Sequence, residues 1–174
     1  ADRSASSSDV TVGARTIIQP APYGSVFTKS GASASAALMA TTVPLTPAMT
    51  LTSRVVAVKG IRAGERIGYG GRHEAAAPMT IAVVPAGYAD GLDRRLEGRG
   101  AALIRGFRAP IVGAVSMDML TVDVTAIEGV STGDEVVFLG SQGPASWQTI
   151  DAREMAAWIG TIPYEVLCRI GTRV

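Results

Sequence analysis

The stretch Met79-Thr80-Ile81-Ala82-Val83-Val84, closed by Pro85, decides the fold class of this sequence. A run of β-branched and apolar residues that ends at a proline is typical of a buried β-strand. Similar runs lie at residues 54–58, 101–105, 110–115, 119–124 and 135–139, with glycine, proline, aspartate and serine between them. Short strands about ten residues apart predict a mostly β domain, a small β-barrel or Greek-key-like arrangement.

Two of the predicted strands carry further expectations. The run at 119–124 alternates apolar and polar residues, so we expect one of its faces to be solvated or to contact polar groups. A last strand is predicted over residues 164–170, where Cys168 is interpreted as a small buried side chain.

One helix is predicted near residues 151–159. Asp151 is a suitable N-cap, Glu154 completes a capping box with it, and Gly160 ends the helix. The apolar residues of one face follow helical spacing: Ala152, Met155, Ala156 and Ile159.

The sequence divides near residue 48. Residues 1–48 are rich in serine, alanine and threonine, and only residues 16–18 have the character of a short strand. We interpret residues 1–48 as an extended or partly disordered segment and residues 49–174 as the β-domain. Because the sequence starts with Ala1 rather than methionine, processing or a fragment of a longer protein is expected.

Composition excludes several classes of function. The 174 residues carry a net charge of +1, which gives no basic face for nucleic acid, and no apolar run has the roughly 20 residues of a membrane span. The single cysteine favours a reducing, cytoplasmic location. His73 is the only histidine and is interpreted as a solvated loop residue, so no metal site is expected. The only lysines are Lys29 and Lys59.

Four segments, in this order, carry a family resemblance. They are Gly64-Glu65-Arg66-Ile67-Gly68-Tyr69-Gly70, Pro85-Ala86-Gly87-Tyr88-Ala89-Asp90-Gly91, Ala109-Pro110-Ile111-Val112-Gly113-Ala114-Val115-Ser116-Met117-Asp118 and Gly160-Thr161-Ile162-Pro163-Tyr164-Glu165-Val166-Leu167-Cys168. Together they resemble the C-terminal domain of bacterial alanine racemases, over three quarters of the chain.

The resemblance implies an enzyme that interconverts L- and D-alanine for cell-wall synthesis. In the family an N-terminal barrel binds pyridoxal phosphate through a lysine, and the β-domain of one subunit faces the cofactor of the other in a homodimer. Neither Lys29 nor Lys59 lies in the lysine motif of the family barrel, and residues 1–48 are too short to form one. We therefore expect the chain alone neither to hold the cofactor covalently nor to racemise alanine.

The resemblance also implies roles for individual residues. Tyr69 corresponds to the tyrosine that acts as acid and base on one face of the substrate. A free phenol titrates at about pH 10, so this role requires a cation close by, which the family takes from its barrel. Met117 corresponds to the residue whose backbone amide helps to hold the substrate carboxylate, and its neighbour Asp118 is expected to orient nearby groups.

The remaining positions line the family's access corridor or reach its cofactor. Tyr88, Arg94 and Ile162 match corridor positions, and Tyr164 matches the tyrosine that reaches the cofactor phosphate. The family often has an arginine where this chain has Ala114, so we expect a less charged corridor. Two alternatives stay open: a non-catalytic β-module that uses this scaffold for association, and a racemase for another amino acid such as lysine or serine.

Overall fold

Short antiparallel strands dominate the structure because apolar, β-branched runs alternate with tight turns. The computed structural model describes residues 11–12, 49–143 and 148–174. The strands are β1 (Thr11–Val12), β2 (Leu51–Arg54), β3 (Ala57–Ile61), β4 (Arg66–Ile67), β5 (His73–Glu74), β6 (Met79–Val84), β7 (Ala101–Ile104), β8 (Phe107–Val112), β9 (Leu120–Asp123), β10 (Glu135–Gln142) and β11 (Gln148–Ile150). The helices are α1 (Ala152–Ile159), α2 (Pro163–Cys168) and three 3-10 turns at Tyr69–Gly71, Tyr88–Asp90 and Arg94–Leu96.

Nine strands form one sheet in the order β1-β2-β10-β7-β8-β9-β6-β3, with β11 paired to β10, while β4 and β5 pair separately. The pairs are antiparallel. The mostly β class is therefore confirmed. The predicted barrel is corrected in one respect: within the described residues the path of strands runs from β1 to β3 and stays open.

The predicted strand at 54–58 is divided between two neighbours. β2 ends at Arg54 on β10, and β3 begins at Ala57 on β6. Between them Val55 is buried, whereas Val56 is exposed and its amide donates to Val83. The chain thus changes partner strand within one β-branched run.

The polar face predicted for the run at 119–124 is confirmed. Leu120 and Val122 of β9 are buried, while Thr121 and Asp123 are half-buried. Thr121 donates its hydroxyl proton to the Val112 carbonyl, and Asp123 accepts a hydrogen bond from the Thr125 amide at 2.9 Å.

The core is formed by residues of this sheet, α1, α2 and the segment at residues 92–96. Its largest fully buried side chains include Phe138, Leu51, Leu92, Leu103 and Ile104, and α1 adds Met155, Ala156 and Ile159.

The predicted helix is confirmed over Ala152–Ile159. Asp151 Oδ1 accepts hydrogen bonds from the Arg153 and Glu154 amides, and Gly160 ends the helix with a left-handed φ of 69°. The second half of the predicted capping box is wrong, because the Glu154 carboxylate accepts 2.7 and 3.1 Å hydrogen bonds from the Arg108 guanidinium.

The strand predicted over residues 164–170 is wrong, because this segment forms α2. Pro163 occupies the first turn, where its missing N–H costs nothing, and Glu165 pairs with Arg169 one turn later. Cys168 ends the helix and is exposed rather than buried in a strand.

Three smaller expectations also have outcomes. His73 is half-buried in β5 rather than in a loop, since it pairs with Ile67. Residues 1–48, with the predicted strand at 16–18 and Lys29, lie outside the described residues except for β1, which pairs with β2. No helix in the described part of the chain is long and apolar enough to cross a membrane.

Candidate functional site

Three turns meet at one end of the sheet. The end of β6 and the end of β8 both lie beside the start of β9, because Val84 pairs with Leu120 and Val112 with Thr121. The turn after β6 and the connection from β8 to β9 are therefore neighbours, and the turn after β4 packs against the same connection. Together with Arg94 they enclose a cavity of about 450 Å³ that is lined by Tyr69, Tyr88, Arg94, Ala114, Val115, Ser116, Met117 and Asp118.

Tyr69 is presented by a turn that only glycine permits. Gly68 and Gly113 have φ values of 77° and 72°, and each faces the backbone of the other segment. A Cβ on Gly68 would lie 3.0 Å from the Ala114 nitrogen, and one on Gly113 would lie 3.1 Å from the Ile67 carbonyl oxygen. This close approach fixes the base of Tyr69, whose side chain is 80% exposed at the cavity.

A second close approach fixes the turns that carry Tyr88 and Met117. A Cβ on Gly87 would lie 2.3 Å from the Met117 carbonyl oxygen. Across this contact the Tyr88 amide donates to the Ser116 carbonyl at 3.0 Å, and the Ala89 amide donates to the Met117 carbonyl at 3.1 Å. Two backbone hydrogen bonds thus hold the turns together.

The turn from Ser116 to Met119 orients the backbone of Met117. The Ser116 amide donates to the Met119 carbonyl at 2.9 Å, and the Ser116 hydroxyl accepts from the Met119 amide at 3.0 Å. No described residue accepts a hydrogen bond from the Met117 amide. The cavity therefore has a backbone donor beside an exposed methionine side chain.

The predicted site residues divide into two groups. Tyr69, Tyr88, Arg94, Met117 and Asp118 are brought together in the lining of one cavity. Ile162 and Tyr164 are both exposed at the start of α2, outside that lining as the described residues define it.

Comparison with known proteins identifies the family of this chain. Residues 48–174 match the family described as "Alanine racemase, C-terminal domain". The chain belongs to this family.

Individual alanine racemases show how much of such a protein the chain represents. The chain is 53% identical over 131 residues to the alanine racemase of Sorangium cellulosum, covering 75% of this chain and 35% of that protein. It is 49% identical to that of Syntrophobacter fumaroxidans, covering 73% and 33%. The chain thus spans about a third of the length of the curated relatives it matches.

Solved structures of alanine racemases have the same fold in this region. The enzyme of Bacillus anthracis with bound L-Ala-P superposes with a TM-score of 0.70 at 37% identity, over 76% of this chain and 33% of that one. The enzyme of E. faecalis gives 0.67 at 38% identity, over 74% and 33%.

A charged network that sequence reasoning missed lies behind the cavity of this chain. Arg95 donates to both oxygens of Asp93 at 3.0 and 2.9 Å, and Arg169 contacts the same carboxylate. The Arg95 hydrogen bonds, against the opposing effect of burial and with help from Arg169, lower the pKa of Asp93 from 3.8 to about 2. Asp93 lies beside Tyr88 and Arg94 in a second cavity of about 330 Å³.

Arg173 forms a second link in this network. Its Nε lies 3.2 Å from Asp90 Oδ1 and its Nη2 lies 2.5 Å from Asp118 Oδ1. The hydrogen bond to Asp118 raises the pKa of Arg173 above its ordinary value. No local sequence pattern indicates these pairs, because the partners are distant in the chain. Asp90 and Asp118 lie within the family segments 85–91 and 109–118, whereas Arg169 and Arg173 lie outside all four segments.

Among the described residues, no group of three or more histidine, cysteine, aspartate or glutamate side chains is placed to hold a metal ion.

Proposed function

We propose that this chain is the β-domain of a pyridoxal-phosphate-dependent alanine racemase that interconverts L- and D-alanine, in which Tyr69 moves the proton on one face of the substrate Cα. The carrying observation is the placement of Tyr69, exposed on a glycine-fixed turn at the rim of a cavity that also contains Met117 and Arg94. A phenol that is fixed at its base and open at its hydroxyl suits proton transfer, which requires a held donor within reach of the reacting atom.

The residues of the cavity fit one wall of such a cofactor site. They offer phenol hydroxyls, a guanidinium and a backbone N–H as donors to anionic groups, but the described lining contains no lysine. Lys59 lies in the middle of β3 and is exposed, away from that lining. The cofactor would therefore be attached to a lysine of another domain, with Tyr164 reaching its phosphate. When bound, pyridoxal phosphate supplies the electron sink that makes the substrate Cα–H acidic.

Tyr69 requires a cation to work near neutral pH, because a free phenol holds its proton to about pH 10. Arg94 lines the same cavity and supplies one positive charge. We assign the remaining activation to basic groups of the partner's barrel. The chain alone is then expected to lack activity.

The substrate carboxylate has a candidate donor in the Met117 amide, since no described residue accepts its hydrogen bond. Arg94 attracts the same anion from the cavity wall. Tyr88 and Ile162 would line the corridor, and Asp118 would orient the turn that carries Met117. Ala114 is buried in the wall and leaves the corridor without the cation that an arginine would add.

The exposed side chains around this cavity also favour an interface with another protein surface. Tyr69, Tyr88, Met117 and Met119 are all large apolar or aromatic residues with much of their surface open. Such a cluster is typical of an interaction surface. We propose that the barrel domain of a second subunit covers it, in a cytoplasmic homodimer with two composite active sites.

The test uses the full-length protein that carries this chain. Tyr69→Phe is compared with the wild type and with the control variant Arg62→Ala, which removes only the exposed ion pair between Arg62 and Glu65. Loss of one acid–base group should lower kcat by about 10²–10⁴-fold. In D₂O, Tyr69→Phe should lose α-hydrogen exchange on one enantiomer of alanine and retain it on the other. Equal exchange on both enantiomers with wild-type kcat would exclude Tyr69 as the base.

A second measurement separates the alternatives. Racemisation of lysine or serine in preference to alanine would reassign the substrate. A full-length protein that racemises none of the three, yet dimerises through the face around Tyr69, would favour the module that serves association only.

A further inference from the structure

Residues 169–173 run behind the two turns that carry Tyr88 and Met117. Arg173 reaches both turns at once, with Nε 3.2 Å from Asp90 Oδ1 and Nη2 2.5 Å from Asp118 Oδ1. Asp90 ends the Tyr88 turn, and Asp118 follows Met117. One guanidinium therefore bridges the two walls of the candidate site.

The Asp90 carboxylate gives this bridge its importance. Its side chain is only 3% exposed, and its second oxygen accepts a hydrogen bond from the Gly87 amide at 2.8 Å. Gly87 is also the point where the two turns touch most closely. Arg173 thus neutralises the buried charge that holds the tightest contact of the site.

The segment is seated at a second point as well. A Cβ on Gly91 would lie 2.9 Å from the Arg169 carbonyl oxygen, and Arg169 pairs with Asp93. These contacts anchor the start of the segment 169–173, so the backbone that carries Arg173 is held in place.

We propose that Arg173 is a positioning residue that sets the separation of the Tyr88 turn from the Met117 turn, and with it the position of the Met117 amide. The geometric part of this inference is independent of the reaction, whereas its effect on substrate binding depends on the proposed function. Arg173 is outside the lining of the cavity and acts only through Asp90 and Asp118.

The physical consequence of removing Arg173 is asymmetric. Asp118 is partly exposed and would be solvated by water, but Asp90 would keep a buried charge without its partner. An uncompensated buried carboxylate is strongly unfavourable, and opening the contact between the turns would let water reach it. The hydrogen bonds from Tyr88 and Ala89 to the other turn are therefore the ones expected to weaken.

Amide hydrogen exchange in the full chain tests the geometric part. Arg173→Ala should accelerate exchange at the Tyr88 and Ala89 amides about tenfold or more, since a buried ion pair is broken, and by a larger factor than at the Ala82 and Val122 amides of the central strands, which report global unfolding. Arg173→Lys should restore part of the protection, and Arg62→Ala, with its exposed pair, should match the wild type. If Arg173→Ala does not fold, Asp118→Asn removes one arm of the bridge and should accelerate the same two amides by less. Unchanged exchange at Tyr88 and Ala89 in both variants would overturn the proposal.

Kinetics of the full-length protein test the link to substrate. Arg173→Ala should raise KM for alanine about tenfold, because the Met117 amide that binds the carboxylate is displaced. The value of kcat should change by less than about twofold, because Gly68 and Gly113 fix Tyr69 separately. Faster exchange with an unchanged KM would refute the positioning role. If the wild-type protein does not racemise alanine, the proposed function fails, and the amide exchange still decides whether Arg173 joins the turns.

Discussion

Gly87→Ala provides the sharpest test of how the site is built. Gly87 has an extended φ of −151°, which alanine adopts without strain. The penalty comes instead from contact, because the new Cβ would lie 2.3 Å from the Met117 carbonyl oxygen and 2.4 Å from the Ser116 carbonyl oxygen. Both are backbone atoms, so the turns must move apart to accept the methyl group.

The magnitude follows from what that movement breaks. Separation weakens the hydrogen bonds from the Tyr88 and Ala89 amides, each worth about 1 kcal/mol. Residual overpacking adds about 1–2 kcal/mol. We therefore expect Gly87→Ala to lower the free energy of unfolding by about 2–4 kcal/mol.

The assay is urea unfolding of the full chain, with Gly60→Ala as the matched control. Gly60 lies in β3, also outside the left-handed region, and a Cβ there would meet nothing within 4 Å. The control should stay within about 0.5 kcal/mol of the wild type. Equal midpoints and slopes for Gly87→Ala and Gly60→Ala would show that the two turns are not held at the described distance.

Two further predictions concern the network and the helix. Asp93→Asn should lower the free energy of unfolding at pH 7 by about 2 kcal/mol, since a pKa of about 2 instead of 3.8 corresponds to about 1.4 kcal/mol per pKa unit. A depressed folded-state pKa stabilises the fold at pH values above the ordinary pKa, so the wild-type advantage should shrink progressively as the pH falls from about 5 to about 1. A wild-type advantage as large at about pH 2 as at about pH 7 in urea unfolding would contradict this assignment. Asp151→Ala should cost about 1 kcal/mol through loss of the α1 cap, and an unchanged thermal midpoint would contradict it.

Local sequence patterns predicted those strands and helices that contact the same neighbouring elements along their whole length. β6 was predicted to the residue, and α1 needed only its own cap, apolar face and terminal glycine. The division of the run at 54–58 was not predictable, because Val55 and Val56 are identical in type and differ only in which strand they approach. The sequence analysis predicted a strand where α2 forms. The signals for a helix were present in Pro163 and in the spacing of Glu165 and Arg169, and in the structure they outweigh the β-branched residues of this segment.

The site follows the same division. Tyr69, Tyr88, Arg94, Met117 and Asp118 were predicted from the family resemblance, and the antiparallel register of β6, β8 and β9 brings the turns around them to one end of the sheet. The long-range pairs of the charged network were not predictable, because Asp90 and Asp93 contact Arg173 and Arg169 only through the fold. The family resemblance therefore identified five residues of the cavity lining, whereas Arg169 and Arg173, which pair with the carboxylates behind it, were found only in the structure.

The two close backbone approaches divide the site into parts that can be perturbed separately. Gly68 and Gly113 hold the turn of Tyr69, whereas Gly87 and the buried Asp90 hold the turns of Tyr88 and Met117. Under the proposed function, proton transfer and carboxylate binding are supported by different contacts within one domain. A defect in the second contact should weaken binding while the phenol keeps its place, which is why the ratio of KM to kcat effects, rather than activity alone, distinguishes the roles of these turns.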